Sequence, residues 1–412
     1  MFSVSPAGSS LAAFSPFKQP VRKLRNAVLG VVLFAIVCSY AIGANAAPGS
    51  CDGNWHTARA VDVTQQLGDF NSLAAVSALS SHDVWAVGTF AQFAGNDYYK
   101  TLIEHYDGTR WRKVPTPKPL KPIAVLTGVS ARSSDDVWAV GYEQDLRSGY
   151  RTLIEHWDGK SWKVAEDGTH QGWLSSVVAI AADDVWAVGS TDYVGFGLIE
   201  HWDGKSWKQT FLSGSIFLRG VAAVAKDDVW AVGQFSHDGS GDYTYATHFD
   251  GTRWTHVTTP SPLHKHDIDQ NWLTSISALS ANDVWAVGVV RDPDFGYLDR
   301  TLTEHWDGSR WSVVSSPLIG QREGNDFWAT AAVGPDSVWA VGAAGNDPDM
   351  QPLSEQWNGK SWTQVITPAS NGILQGLSAV PSSRLELWAV GYKVKQNSYL
   401  GTLVEYLCAP GE

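Results

Sequence analysis

Glutamate and histidine stand side by side four times, at Glu104-His105, Glu155-His156, Glu200-His201 and Glu304-His305. A carboxylate beside an imidazole is suited to acid–base or metal chemistry. These pairs, however, recur at one fixed place in a repeated string. Each therefore belongs to its own structural unit, too far from the others to share an ion, and the reading is structural. Gly-Lys-Ser at Gly159, Gly204 and Gly359 lacks the earlier glycine and the following helix of a phosphate loop. No Gly-x-Ser-x-Gly elbow, His-Glu-x-x-His string or dinucleotide fingerprint is present. Asp292-Pro-Asp294 and Asp347-Pro-Asp349 offer the oxygen atoms that calcium takes. His264-Lys-His266-Asp267-Ile-Asp269 offers transition-metal donors. Neither set has EF-hand spacing and Asp-Pro is common turn chemistry, so no cofactor is expected, with calcium as the alternative.

The elements that position these residues come from a repeat. Val-Trp-Ala-Val-Gly occurs with its tryptophan at Trp85, Trp138, Trp186, Trp230, Trp285 and Trp339, and Leu-Trp-Ala-Val-Gly follows at Trp388. A spacing near 50 residues with strand-like content predicts propeller blades rather than stacked helices. Each repeat holds four short β segments, A to D: Leu-x-small-Val, the Val-Trp-Ala-Val-Gly string, Thr-Leu-Ile-Glu-His-Trp, and a segment that opens on Trp. Turn residues separate them, among them Asp83, Asp136, Asp184, Asp228 and Asp283. The fold class is thus all-β, a seven-bladed propeller of four-stranded blades. Segment A carries Ala75, Gly128, Ser176, Gly220, Ser275, Ala329 and Gly376 at one position, because inner strands converging on an axis leave no room for bulk there.

The last repeat ends at Cys408 without a fourth segment, and Cys51-Asp52-Gly53-Asn54-Trp55 supplies the missing piece. The N-terminal segment is expected to complete the last blade as its outer strand, which removes an open edge. That places Cys51 against Cys408 and predicts a disulfide, which an exported compartment permits.

The 412 residues carry 30 Lys+Arg against 42 Asp+Glu, a net charge of −12. A phosphate-backbone binder needs the opposite balance, so no nucleic-acid partner is expected. Residues 1–46 contain no Asp or Glu. Lys18, Arg22, Lys23 and Arg25 precede an apolar run from Ala27 to Gly43, and Ala44-Asn45-Ala46 follows. This is the layout of a signal peptide, with an uncleaved membrane anchor as the alternative. Residues 47–412 form one propeller domain, secreted or tethered outside the cytoplasm, and monomeric.

The turn His/Phe-Trp-Asp-Gly-x-x-Trp, with Asp107, Asp158, Asp203, Asp250, Asp307 and the variant Asn358, resembles the Asp-box (BNR) turn of many bacterial propellers. It is one residue shorter between Asp and Trp and lacks the Ser two places before the Asp. Asp-Val-Trp-Ala-Val-Gly also resembles tectonin-type lectin repeats. The resemblance spans about residues 51–408 and implies exported propeller proteins of unassigned function, since such turns stabilise blades in proteins of unrelated activity.

Of 21 tryptophans, all but Trp173, Trp272 and Trp328 belong to the repeated motifs. These three, with Phe70 and Phe217, fall where segment A begins, beside loop residues Asp267, Asp269, Gln270, Asn271, Glu323, Asn325 and Asp326. Aromatic faces with nearby carboxylates suit sugar rings. They equally suit a buried plug of the axial channel. Tyr98, Tyr99, Tyr193 and Tyr399 in the B–C loops suit a protein partner. The expected function is non-catalytic recognition of an extracellular protein or glycan, with Trp173, Trp272, Trp328, Asp267 and Asp326 as ligand-binding residues. A glycan-cleaving hydrolase, which needs two carboxyls at one mouth, is the alternative.

Overall fold

The computed structural model describes residues 51–66, 69–92, 99–145, 149–166, 171–191, 195–236, 241–262, 270–292, 298–319, 324–346, 349–381, 385–395 and 400–410. The leader, Asp267, Asp269 and Glu323 lie outside the described residues. Ala47–Glu412 is one compact unit. Its described residues are all-β and contain no helix.

The strands pair antiparallel into repeating four-stranded blades. The inner A strands are Phe70–Ser80, Ile123–Ser133, Trp173–Ala181, Ser215–Ala225, Gln270–Ser280, Asn325–Gly334 and Ile373–Ala379. The B strands, in the same order, are Asp83–Ala91, Asp136–Asp145, Asp184–Ser190, Asp228–Ser236, Asp283–Asp292, Ser337–Ala344 and Glu386–Val394. The C strands are Lys100–Tyr106, Gly149–Trp157, Gly197–Trp202, Asp242–Phe249, Leu298–Trp306, Gln351–Trp357 and Leu400–Cys408. The D strands are short, from Trp111–Lys113 to Trp362–Gln364, and the D place of the last blade is filled by Trp55–Ala58.

The glycine that ends each Val-Trp-Ala-Val-Gly string is fixed by strand A. A Cβ on Gly88, Gly141, Gly189, Gly233, Gly288, Gly342 or Gly391 would overlap a strand A carbonyl oxygen, for example that of Trp272 at Gly288. Directly after that carbonyl the A–B ladder slips by one residue, a β-bulge between Leu73 and Ala75 and at the matching place in the other A strands. Adjacent A strands then meet at their small residues: a Cβ on Gly128 would press on Ser176, and one on Gly376 on Ala75. Serine hydroxyls bind backbone N–H groups across the same gaps, Ser77 to Ala131, Ser130 to Ala179 and Ser378 to Ala78, each at 3.0 Å.

Each strand B tryptophan packs edge-on against the D strand tryptophan of the next blade, as in Trp85–Trp162, Trp138–Trp207 and Trp230–Trp311 at ring centroids of 5.4–5.6 Å. The circuit closes through Trp339 against Trp55, at 6.1 Å, and Trp388 against Trp111, at 5.6 Å. The N-terminal segment therefore supplies both a strand and a ring to the last blade. Cys51 and Cys408 form a disulfide with Cα atoms 4.7 Å apart. Cross-linking positions 357 residues apart restricts the unfolded chain by about 6 kcal/mol at most on the chain-entropy model.

The Glu-His pairs resolve into two structural devices. Each histidine donates through Nε2 to the aspartate that opens strand B of its own blade, as in His105 to Asp83 and His156 to Asp136 at 2.8 Å, and stacks on the strand B tryptophan. Those aspartates are thus histidine partners and not merely turn residues. Blade four has His248 on Asp228, although Thr247 replaces the glutamate there. The glutamates Glu104, Glu155, Glu200, Glu304, Glu355 and Glu405 are buried. Glu104 Oε2 accepts Val61 N–H at 3.3 Å and Glu405 Oε1 accepts Ala369 N–H at 3.1 Å, so two of them hold the D–A connectors as these cross between blades. In the C–D turns the predicted aspartates act as Asx turns: Asp158 Oδ1 accepts Lys160 and Ser161 N–H at 3.0 and 2.9 Å, and Gly159 takes a φ of +82°.

Burial pushes the Glu355 carboxyl up to about 8, and neither of its oxygens has a hydrogen-bond partner among the described residues. An acid raised on folding binds its proton more tightly in the native state. Stability at this site is therefore greatest at low pH and falls as pH rises from about 4.5 to about 8. Glu355→Gln is expected to flatten that fall and to gain about 2–4 kcal/mol over the parent above pH 8. Urea unfolding at a series of pH values checks this, and a parent–variant difference that does not depend on pH would contradict it.

Candidate functional site

The residues singled out in the sequence gather at the end of the blades where strand A starts, strand B ends and strand C begins. There the bulge presents one residue per blade: Ala74, Thr127, Ser175, Arg219, Thr274, Trp328 and Gln375. Leaving the ladder aims this side chain across to the next inner strand. Thr127 Oγ1 lies 2.7 Å from Leu174 O, and Thr274 Oγ1 lies 2.8 Å from Phe327 O. Gln375 Oε1 accepts Ser72 Oγ–H at 2.8 Å. Arg219 is the only charged residue in the set. Its Nε and Nη2 both donate to Gln234 Oε1, at 3.1 and 2.9 Å. Burial pulls its pKa down, although its surface is not closed to solvent.

Beside the residues that precede the bulge, side chains of the A, B and C strands form an arc with two characters. One part is aromatic. Phe70 meets Tyr99 at 5.6 Å and Tyr392 at 6.3 Å. Tyr142 meets Tyr150 at 5.2 Å, Tyr150 meets Trp173 at 5.5 Å, and Trp173 lies nearly parallel to Phe217 at 6.4 Å. Burial pushes the Tyr142 hydroxyl up to about 12, with Tyr150 and Tyr99 adding to it. All these rings are half-buried, unlike the strand B tryptophans, of which Trp85 is 2% exposed.

The other part is polar and lies on the next two blades. Arg291 binds Asp299 through Nε at 2.5 Å and Nη2 at 2.8 Å, reaches Gln270 Oε1 through Nη1 at 3.2 Å, and stands over the Trp272 ring at 5.3 Å. Asp326 is held at about 7 by burial first and by the Asp299 charge second, against the pull of Arg291. Asp326 Oδ1 and Trp328 Nε1 are buried without a hydrogen-bond partner among the described residues.

Trp272 and Asp326 are thus brought together through Arg291. Trp173 belongs to the aromatic part, and Trp328 sits on the bulge. The structure adds Arg291, Asp299, Gln234, Tyr142, Tyr150 and Tyr392. A signal for several of these was present in the sequence: the residue after each Val-Trp-Ala-Val-Gly string varies while the string repeats, giving Thr89, Tyr142, Ser190, Gln234, Val289, Ala343 and Tyr392. It pairs with the residue before the strand A leucine, as Phe217 does with Gln234. Asp267, Tyr98, Tyr193, Tyr399, the Asp292 side chain, Asp294 and Asp347 lie outside the described residues.

No protein-family model and no curated protein matches the sequence. Similar solved structures include YCF48 bound to D1 peptide, at 17% identity over 88% of this chain and 98% of that chain with a TM-score of 0.54. A polysaccharide lyase PL25, an ulvan lyase bound to -[GlcA(1-4)Rha3S]-, is 9% identical over 82% of this chain and 94% of its own, with a TM-score of 0.52. The GH74 xyloglucanase from Xanthomonas campestris is 12% identical over 84% of this chain and 55% of its own, with a TM-score of 0.51. At such identities the likeness is one of fold. The chain has the β-propeller fold.

Because the folded Asp326 pKa of about 7 lies above the value of an unfolded aspartate, the carboxyl favours folding at low pH, and that contribution is lost between about pH 4 and 7. Asp326→Asn is expected to remove a loss of about 1–3 kcal/mol across this interval, after discount for the partly open site. Thermal melts of parent and variant from pH 4 to 8 check this; parallel curves would place the proton elsewhere.

Proposed function

We propose that the chain is a seven-bladed, exported recognition module that binds an extracellular protein or glycan at the face where the A strands begin. The observation that carries this reading is the divided mouth. Half-buried aromatic rings stand on one part of the arc. A carboxyl oxygen and an indole N–H without partners stand on the other. Aromatic faces take apolar surface, while unsatisfied polar groups are costly unless a ligand or water completes them. Trp173, Trp272 and Trp328 are contact residues in this reading, with Asp326 as a polar partner and Asp267 on the adjoining loop. Arg291 already covers one face of Trp272, which leaves a ligand the other. No metal or cofactor is required. The acidic chain is poorly suited to nucleic acid. A disulfide fits an oxidising compartment, with the leader cleaved or kept as a tether, and a monomer suffices.

The test is capture of ligands from a glycan array and from an array of extracellular protein ectodomains. Trp173→Ala and Trp272→Ala are each expected to weaken the selected ligand by about tenfold or more. A loss of melting temperature with unchanged capture would instead make these rings a plug.

One observation favours a second reading, a glycan-cleaving hydrolase. Asp326 and Asp299 interact, and Asp326 keeps its proton near neutrality while Asp299 is held by Arg291. That asymmetry suits a general acid beside a carboxylate. On this reading the parent releases reducing ends from polysaccharide and Asp326→Asn loses that release by about a hundredfold or more while still binding. Absence of release by the parent across acidic and neutral polysaccharides removes the hydrolase reading.

A further inference from the structure

A guanidinium has five N–H donors. Gln234 Oε1 takes the Nε and one Nη2 donor of Arg219, which leaves, among the described residues, the edge formed by Nη1 and the second Nη2 N–H. That edge is the one that binds a carboxylate with two parallel hydrogen bonds. No carboxylate lies within ion-pairing distance of Arg219 among the described residues. Asp242 acts on it only at longer range, and the described polar contact of the Asp242 side chain is Ser236 Oγ. A cation set in the protein with one neutral partner is costly to keep. Arg219 is also placed by a special backbone feature: the bulge that lifts it from the ladder recurs in the other blades, but none of them puts a charge there. It sits one residue beyond Leu218 from Phe217, the ring that stacks with Trp173.

We propose that Arg219 is the acid-binding group of this mouth, and that the ligand is an oligosaccharide bearing a uronic acid, its carboxylate on the free Arg219 edge and a sugar ring against Trp173 and Phe217. This rests on the recognition reading above and narrows it. One observation favours a sugar over a peptide, and a second bears on how much charge that sugar carries. The polar side of the mouth is rich in acceptors, with Asp326 Oδ1 buried without a hydrogen-bond partner among the described residues and Asp299 and Asp242 nearby, and so calls for a ligand with many hydroxyl donors. A peptide carries side-chain donors only at particular residues, whereas a sugar carries hydroxyls on every ring. The net charge of −12 further disfavours a densely charged polyanion, which the whole surface would repel, and favours a mainly neutral chain with sparse carboxylates.

The experiment uses the full chain and isothermal calorimetry. The probes are otherwise neutral trimers carrying a single galacturonate, glucuronate, mannuronate or guluronate, each beside its carboxyl-reduced neutral counterpart. At least one acidic trimer is expected to bind about thirtyfold tighter than its reduced form, the scale of losing one partner of a recessed charge pair. Arg219→Gln is expected to erase that preference, and Arg219→Lys to erase most of it, since an ammonium cannot make the two parallel bonds. Near-ultraviolet circular dichroism of both variants should match the parent; should Arg219→Gln fail to fold, Arg219→Lys carries the test. Equal binding of acidic and reduced trimers, both lost in Trp173→Ala, would overturn the uronate inference and leave the recognition module standing. Capture of a protein segment with no saccharide binding would also overturn it, again without touching that broader reading. No binding of any trimer would overturn it outright.

Discussion

In every blade a carbonyl of the inner strand rests on a glycine of strand B, where no side chain fits. Two consequences follow. The inner strand approaches strand B closely enough for adjacent inner strands to meet at their small residues, with Ser77, Ser130 and Ser378 binding across the gaps. The ladder must then absorb one extra residue, and the resulting bulge turns a side chain out of the blade. The repeated pentapeptide is therefore more than a strand signature. Its tryptophan joins one blade to the next, and its glycine creates the position from which Arg219 and Trp328 address the mouth.

Further out, the same economy of parts holds. In the first five blades the strand B tryptophan is clasped by a histidine of its own blade and by two aromatic rings of the next. The histidine is fixed in turn by an aspartate. These groups are charged or polar and reactive in other settings, but here each has a partner within its blade, and the chemistry is spent on rigidity. The buried glutamates do related work where Glu104 and Glu405 receive the connectors. Where no partner is described, as at Glu355, burial keeps the carboxyl protonated and makes the fold sensitive to base. A rigid rim of this kind lets the residues at its end vary without loss of the frame.

The mouth itself is asymmetric although the frame is not. Tyr142, Tyr150, Trp173 and Phe217 form a continuous apolar run, whereas Arg291, Asp299 and Asp326 form a charged set with Trp272 between the two.

The strands, the four-stranded blade, the D strand place of Trp55 and the pairing of Cys51 with Cys408 could be read from the residues alone, because each is written in short-range periodicity or in a motif split between the two ends of the repeat array. It also located Trp173, Trp272, Trp328 and Asp326 at the start of the A strands, since a residue that departs from a repeat is visible against it. Which of them meet depends on how the blades pack. Arg291 and Asp299 are eight positions apart in sequence, and Asp326 comes from the next blade, so their coupling exists only after strands B and C pair and the blades pack. The meaning of Arg219 was hidden for a related reason. Strand alternation gives a residue's face by counting in twos, and a bulge breaks that count, so the direction of its side chain is set by the register with strand B and not by its place in the sequence.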